Sequence, residues 1–458
     1  MRYGLYTGGL GLILALAASA CDAGTSSEEA SGGAPPDQPT AGAGNVASAG
    51  APPVNAGAGP LTGGAGPAAG AGPTGGGAGG SSAAGAPTGG IVMKDPSSYP
   101  QNSAGAKYPY PQGHAFAHCT FPNYDTDKVA LAYTNWKTKF FQGGRVIRPE
   151  NSNDTVSEGI AYGMLIGVFM NDKPLFDALW TYAQSKKGSN GLMDWHIDAN
   201  GGKIGGGGAT DADEDMAYAL LMAGAQWGGD YKAAGVTLVN SIWDKEIEGS
   251  TTLKPGDNFG GSSQTNPSYF APSYYRVFAK ATPAHDWNAV LESSYRILAA
   301  ATGANGLVPN WVNSSGAGVQ GPGNDQNGLY YGYDACRTPF RIALDYCENG
   351  EPRAKAYLDK IAPFLNTAGG ARLATLKDGY TTAGANPPGT LGDYAAGMAF
   401  TGPAAVAGMG DGLTSMASGA YFSLVVGTGN VSQLQYYHGS WGVLSILALS
   451  GNFWTMPQ

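Results

Sequence analysis

From Val129 onward, apolar side chains return every three to four positions. Val129, Ala132, Tyr133, Trp136 and Phe140 form the first such stripe, the spacing of an amphipathic helix. Comparable segments follow at 157–170, 174–187, 213–227, 231–243, 266–280, 283–300, 334–347, 352–365, 391–407, 413–425 and 440–449. Pro174, Pro283 and Pro352 suit a first helical turn, where a missing N–H costs nothing. Gly- and Asn-rich runs such as 201–208 and 302–306 separate the segments. Short strands are expected near 307–312, but no regular strand–helix alternation supports a doubly wound sheet. No crisp internal repeat is present, which argues against a solenoid of identical units. The expected fold is all-α: about twelve helices paired into a closed toroid, with the longer loops gathered at one end to shape a cleft.

The pattern is silent before residue 96. No Lys or Arg lies between Arg2 and Lys94, and no aromatic between Tyr6 and Tyr99. Residues 22–95 are dominated by Gly, Ala, Pro, Ser and Thr, a composition that cannot bury a core and reads as a disordered tether. The run 70–75 spells a dinucleotide fingerprint, but no strand precedes it and no helix follows. Residues 1–21 read as an export signal: Arg2, then an apolar stretch too short to span a membrane. Ala18, Ser19, Ala20 and Cys21 resemble a lipobox, so Cys21 is the expected lipidation site and the only expected link to a membrane. The expected location is extracellular or at the cell surface, with residues 96–458 as one large domain.

Composition narrows the function. A net charge of −9, with 13% charged residues, argues against nucleic acid. Five scattered His residues form no zinc motif, and there is no nucleophile elbow. Asp211, Asp213 and Asp215 alternate like the start of an EF-hand loop, but Met216 and Met222 occupy the positions that need Gly and Glu. No metal and no cofactor are expected, and a monomer is the expected state. Cys336 and Cys347 fall on one expected helix, about 16 Å apart and beyond disulfide reach. Any bridge therefore uses Cys119; three buried free thiols is the alternative.

The chemistry resides in carboxylates at helix mouths. Asp211, Asp213, Glu214 and Asp215 place four acids in five positions before an apolar helix. Glu158 opens another helical segment, and Asp334 follows Tyr330, Tyr331 and Tyr333. Glycosidic hydrolysis needs one protonated carboxyl and one ionised carboxylate on opposite sides of a sugar. Acids are also common in first turns because they favour the helix dipole. That same dipole lowers the pKa of Glu158, the opposite of what a general acid needs. Burial and the charge of Asp211 are the expected remedy. Trp195, Tyr269, Tyr330 and Tyr436 lie near the acidic motifs or near the chain end, and flat aromatics stack on sugars; Trp195 and Tyr330 are expected on a cleft rim.

These residues resemble glycoside hydrolase family 8. The run 209–227, with Asp211, Asp213, Met216, Ala217 and Trp227, is similar to the family signature. The Ser157-Glu158-Gly159 start, the 266–276 run and Tyr333-Asp334-Ala335 with Arg337 are similar to further family segments, in the same order. The resemblance implies an (α/α)6 barrel and an inverting mechanism, with Glu158 as general acid and Asp334 as general base. It implies that Asp211 binds and distorts the sugar beside the scissile bond, that Arg337 steadies Asp334, and that Trp195 stacks on a sugar. The implied partner is a β-1,4-linked polysaccharide, with endoglucanase the first expectation and xylanase or chitosanase the alternatives within the family. A surface lipoprotein that binds glycan without cutting it is the alternative from another class.

Overall fold

The structure is a computed structural model that describes residues 92–458. The export signal, the lipobox with Cys21, and the tether up to residue 91 lie outside the described residues. Twelve α-helices follow one another along the described chain. Six are lined on nearly every side by other residues: α2 (Ser157–Phe169), α4 (Thr210–Trp227), α6 (Pro272–Ala281), α8 (Thr338–Asn349), α10 (Met398–Gly410) and α12 (Tyr436–Leu449). All thirteen residues of α2 are buried, the behaviour of a helix with no solvent face. The other six alternate with them in sequence: α1 (Thr126–Phe140), α3 (Lys173–Ser185), α5 (Tyr231–Glu246), α7 (Trp287–Ala301), α9 (Pro352–Gly369) and α11 (Thr414–Gly429). Here one stripe is buried, as with Leu175, Phe176, Leu179 and Ala183 of α3.

The inner helices close a ring: α2 packs on α4 and α12, α12 on α10, α10 on α8, α8 on α6, and α6 on α4. Each outer helix covers this ring, α3 on α2 and α5 on α4, for example. This is the (α/α)6 barrel. Close approach within it rests on missing side chains. A Cβ at Gly163 of α2 would come within 2.6 Å of Leu179 of α3.

Strands are few and short. Hairpins join β1 (Phe141–Gln142) to β2 (Arg145–Val146) and β6 (Ile247–Glu248) to β7 (Thr252–Leu253). A three-stranded antiparallel sheet takes β3 (Thr155–Val156), β4 (His196–Ile197) and β5 (Lys203–Gly205) in that order. Because β3 runs straight into α2, this sheet sets where that helix begins.

Several boundaries differ from the pattern. The 266–280 segment is not one helix. Asn266 caps a short 3-10 turn, Pro267–Tyr269, and α6 starts at Pro272, a residue that suits a helix start and disfavours helix before it. The 391–407 segment becomes helical only at Met398, after Gly397. Pro174 and Pro352 do sit in first turns, whereas Pro283 lies outside α7, which Asp286 caps instead. No strand forms at 307–312; Val312 makes only isolated bridges to Thr265 and Gly318.

The single disulfide among the described residues joins Cys119 to Cys347 and leaves Cys336 as a buried free thiol. It ties the segment before α1 to the last turn of α8, across 228 residues of sequence. Replacing both half-cystines by Ser should cost about 2–5 kcal/mol of stability. Thermal unfolding with and without reductant checks this, and activity well below the midpoint should be unchanged. No described helix is long and apolar enough to cross a membrane.

Candidate active site

Side chains from the starts of the inner helices meet at one end of the barrel. Glu158 is the second residue of α2 and Asp211 the second of α4. Asp334 precedes a 3-10 turn, Ala335–Arg337, that leads into α8, and Tyr436 is the first residue of α12. Neither α2 nor α4 has a side-chain cap; the first N–H of each goes to a backbone carbonyl, Ser157 to Trp195 and Thr210 to Pro255, and the acids in their first turns suit the helix dipoles.

Arg337 is the hub. Its Nη1 donates to Asp211 Oδ2 at 2.6 Å and to Glu158 Oε2 at 3.3 Å, and its Nη2 donates to Asp334 Oδ1 at 2.9 Å. One guanidinium thus joins the three carboxylates, and it is only 2% exposed. Its fork geometry allows this where an ammonium would offer one point charge. Because one group bridges Glu158 and Asp334, their facing oxygens lie no further apart than the upper end of the roughly 6.5–9.5 Å span of inverting pairs. The ring of Tyr269 lies 5.2 Å from the Arg337 guanidinium carbon, a cation–π contact.

Tyr436 donates its hydroxyl proton to Glu158 Oε1 at 3.0 Å. Its own N–H is held by Glu150 Oε1 at 2.7 Å. Gly159 makes room for the ring: a Cβ there would sit 3.0 Å from it. Burial pushes the Glu158 carboxyl up to about 7; Arg337 opposes the rise, and the charge of Asp211 adds to it. The helix-dipole penalty is thus overcome mainly by desolvation, with Asp211 as the second cause. Asp334 is also raised, by burial first, against the opposing pull of Arg337 and of hydrogen bonding from Trp311 and Asn266.

Not every residue singled out by sequence reaches this cluster. At about 100° per residue, Asp211 and Asp215 share one face of α4, while Asp213 and Glu214 point elsewhere. Asp213 faces Glu246 beneath Gly208, where a Cβ would meet an oxygen of each at 2.7 Å. Trp195 is not on a rim: it is 4% exposed. Its indole packs on the backbone of Gly205 in β5, so close that a Cβ would lie 2.3 Å from Nε1. A glycine there lets the strand cover the ring and leaves almost none of it open to a sugar. The Trp195 carbonyl has another task, accepting the Ser157 N–H at 2.9 Å and so fixing the start of α2. Tyr330 is half-buried, and its carbonyl accepts from the Asn310 N–H.

Sequence reasoning missed several contributors. Asn310 Oδ1 accepts from the N–H groups of Gly332 and Ala335, shaping the turn that presents Asp334. Trp311 and Asn266 face Asp334 itself. Asn310 and Trp311 lie on an irregular loop; Asn266 belongs to the 266–276 run, but no local pattern aims it at Asp334. Arg341 and Asp215 did carry a signal, each standing four residues beyond a cluster member.

A profile of the glycosyl hydrolases family 8 matches residues 114–448. Endoglucanase A of Acetivibrio thermocellus is 39% identical over 347 residues, covering 72% of this chain and 70% of that protein. Endoglucanase 2 of Ruminiclostridium josui is 43% identical over 272 residues, covering 56% of this chain and 57% of that protein. The apo β-1,3-1,4-glucanase from Paenibacillus sp. X4 superimposes with a TM-score of 0.68 at 30% identity, covering 76% of this chain and 99% of that one.

Proposed function

Because the chain belongs to glycosyl hydrolase family 8, we propose that it cleaves β-1,4-linked glucan internally and with inversion, Glu158 acting as general acid and Asp334 as general base. The observation that carries this reading is one buried guanidinium tied to three carboxylates, one of which has its pKa pushed up to about 7. The endoglucanase and β-glucanase names of the relatives support the substrate class.

In this mechanism Glu158 enters protonated. It gives its proton to the glycosidic oxygen as the bond to the anomeric carbon breaks. Arg337 and Tyr436 then stabilise the carboxylate left behind. Asp334 takes a proton from the water that attacks the opposite face of the same carbon. Its raised pKa makes it a stronger base, and the charge of Arg337 favours its ionised form. Asp211, beside Glu158, holds the sugar between them. Export through residues 1–21, with lipid attachment at Cys21, belongs to the same proposal; metabolic labelling with a radioactive fatty acid, lost in Cys21→Ser, tests it.

The pH dependence follows from the sign of the shift. The productive form of Glu158 is the protonated one, so kcat/KM should fall as pH rises through about 7. Folding stability follows the same sign: a carboxyl raised in the fold favours the native state at low pH and loses that contribution between its unfolded value and about 7. A pH–rate profile that stays flat to pH 9 would exclude Glu158 as the acid.

Reducing-end release from carboxymethyl cellulose, mixed-linkage β-glucan, xylan and chitosan tests the substrate. Cleavage of the first two, with the α-anomer as the initial product by NMR, is the expected result. Activity on xylan or chitosan alone would keep the mechanism and change the substrate. A folded protein inactive on all four would leave only glycan binding.

A further inference from the structure

Directly beneath the catalytic cluster lies a second, similar one. On α4, Asp215 stands four residues after Asp211; Arg341, in the first turn of α8, stands four residues after Arg337 of the 3-10 turn that leads into it. Each step is one helical turn, about 5.4 Å along the axis. The upper rung is Arg337 with Asp211 at 2.6 Å. The lower is Arg341 with Asp215, which uses both oxygens, the Nη2–Oδ2 contact being 2.9 Å. Tyrosines flank both rungs: Tyr269 lies 5.2 Å from the guanidinium carbon of Arg337, and Tyr274 lies 5.3 Å from that of Arg341. Tyr274 in turn stacks on Tyr218 of α4 at 3.8 Å. Arg341 and Asp215 are each 2% exposed or less.

A buried ion pair is a weak source of stability compared with an apolar pair of the same volume. Its position is more informative than its energy. Arg337 satisfies three acids at once and is therefore thinly shared among them. Asp215 is a fourth acid one turn away, close enough that the charge of Arg337 acts on it.

We propose that Arg341 is a positioning residue for catalysis: by occupying both oxygens of Asp215, it prevents that carboxylate from drawing Arg337 away from Glu158, Asp211 and Asp334. The proposal rests on Glu158 being the general acid. The lower rung is neutral as a pair, so it adds no net charge under the site. Breaking it from either side does. The groups facing Glu158 are Arg337, Asp211, Tyr436 and Arg148, together with Tyr162, Tyr269, Tyr437 and Cys336. Those facing Asp215 are Arg341, Asp211 and Arg337, together with Tyr162, Tyr274 and Glu214. Asp211, Arg337 and Tyr162 are common to both groups, and the two charged ones transmit the change.

The test is a double-mutant cycle of Arg341→Met, Asp215→Asn and both together. It is read as the pH profile of kcat/KM on the most rapidly hydrolysed glycan of the panel above. Arg341→Met leaves Asp215 unpaired: kcat should fall about 10- to 100-fold, the scale of a small misplacement of catalytic groups, and the alkaline limb should move up by about 0.5 pH unit or more. Asp215→Asn leaves Arg341 unpaired, and the limb should move down. In the double variant the limb should return towards wild type, with at least about tenfold of the kcat loss in Arg341→Met recovered. A merely structural pair would give two unshifted limbs and a double variant no better than either single, and that result overturns the proposal. If Arg341→Met does not fold, Arg341→Lys and Asp215→Asn decide: a wild-type limb in the first and a lowered limb in the second support it, and any other combination overturns it. Glu158→Gln run alongside separates the two ideas. Its inactivity with unshifted limbs removes only the positioning role; its activity removes the general-acid reading as well.

Discussion

Replacing Glu158 by Gln leaves the barrel folded and lowers kcat/KM on polysaccharide by at least about 10²-fold, the usual scale for loss of a general acid. The amide matches the carboxyl in volume, and its oxygen can still accept from Tyr436, which donates to Oε1 at 3.0 Å. What it cannot do is deliver a proton to the leaving oxygen. The defect should therefore depend on the leaving group. An aryl cello-oligosaccharide with an acidic phenol needs no protonation and should be cut nearly as well by the variant as by the parent. The alkaline limb near pH 7, set by a carboxyl pushed up to about 7, should vanish with it. Steady-state kinetics on the two substrates, each across pH, read all three effects. Polysaccharide activity within tenfold of the parent would remove Glu158 from the mechanism.

Replacing Arg337 by Met should be the most damaging single change at this site. It deletes the cation that, among the described residues, is bonded to Glu158, Asp211 and Asp334 together. Breaking a buried ion pair by removing one partner costs about 3–5 kcal/mol, because the charge left behind has lost its partner and is still desolvated. Here three acids are left behind, and they respond by holding protons. The pKa of Glu158 should rise further above 7, since Arg337 is the strongest influence opposing the effect of burial. Asp334 should rise for the same reason, and a protonated Asp334 cannot act as base. Activity should fall by at least about 10³-fold, with any residue of it displaced to higher pH. Stability should recover as pH is lowered, because the acids can then be neutral. Denaturant unfolding at pH 5 and pH 8 checks the last point; an equal loss at both pH values would mean that Arg337 contributes packing rather than charge.

Much of this molecule was legible along the chain. Twelve helical segments are expected from the spacing of apolar positions, and twelve α-helices occur in that order. Periodicity works well here because inner helices are apolar all round and outer helices carry a clear stripe, as α2 and α3 do. Boundaries failed at 266–271, where Pro267 and Pro272 disfavour a continuous helix, and at 391–397, where Gly392 and Gly397 leave the path to the neighbours. Glu158, Asp211 and Asp334 could be named because each stands at a helix mouth beside a recognisable run. Arg337 could be expected to steady Asp334, but its grip on Glu158 and Asp211 could not, since those residues are 179 and 126 positions away.

The sequence by itself determined the all-α class, the count and order of the helices, and the acids placed at their starts. These follow from local periodicity and from the dipole of a first turn, which act over a few residues. Tertiary structure alone decided the rest: which acid faces which, how far burial pushes up the Glu158 carboxyl, and that Cys119 finds Cys347. It also decided that Trp195 is covered by Gly205 instead of open to solvent. Desolvation and close approach are properties of groups brought together from distant positions, and no local pattern encodes them.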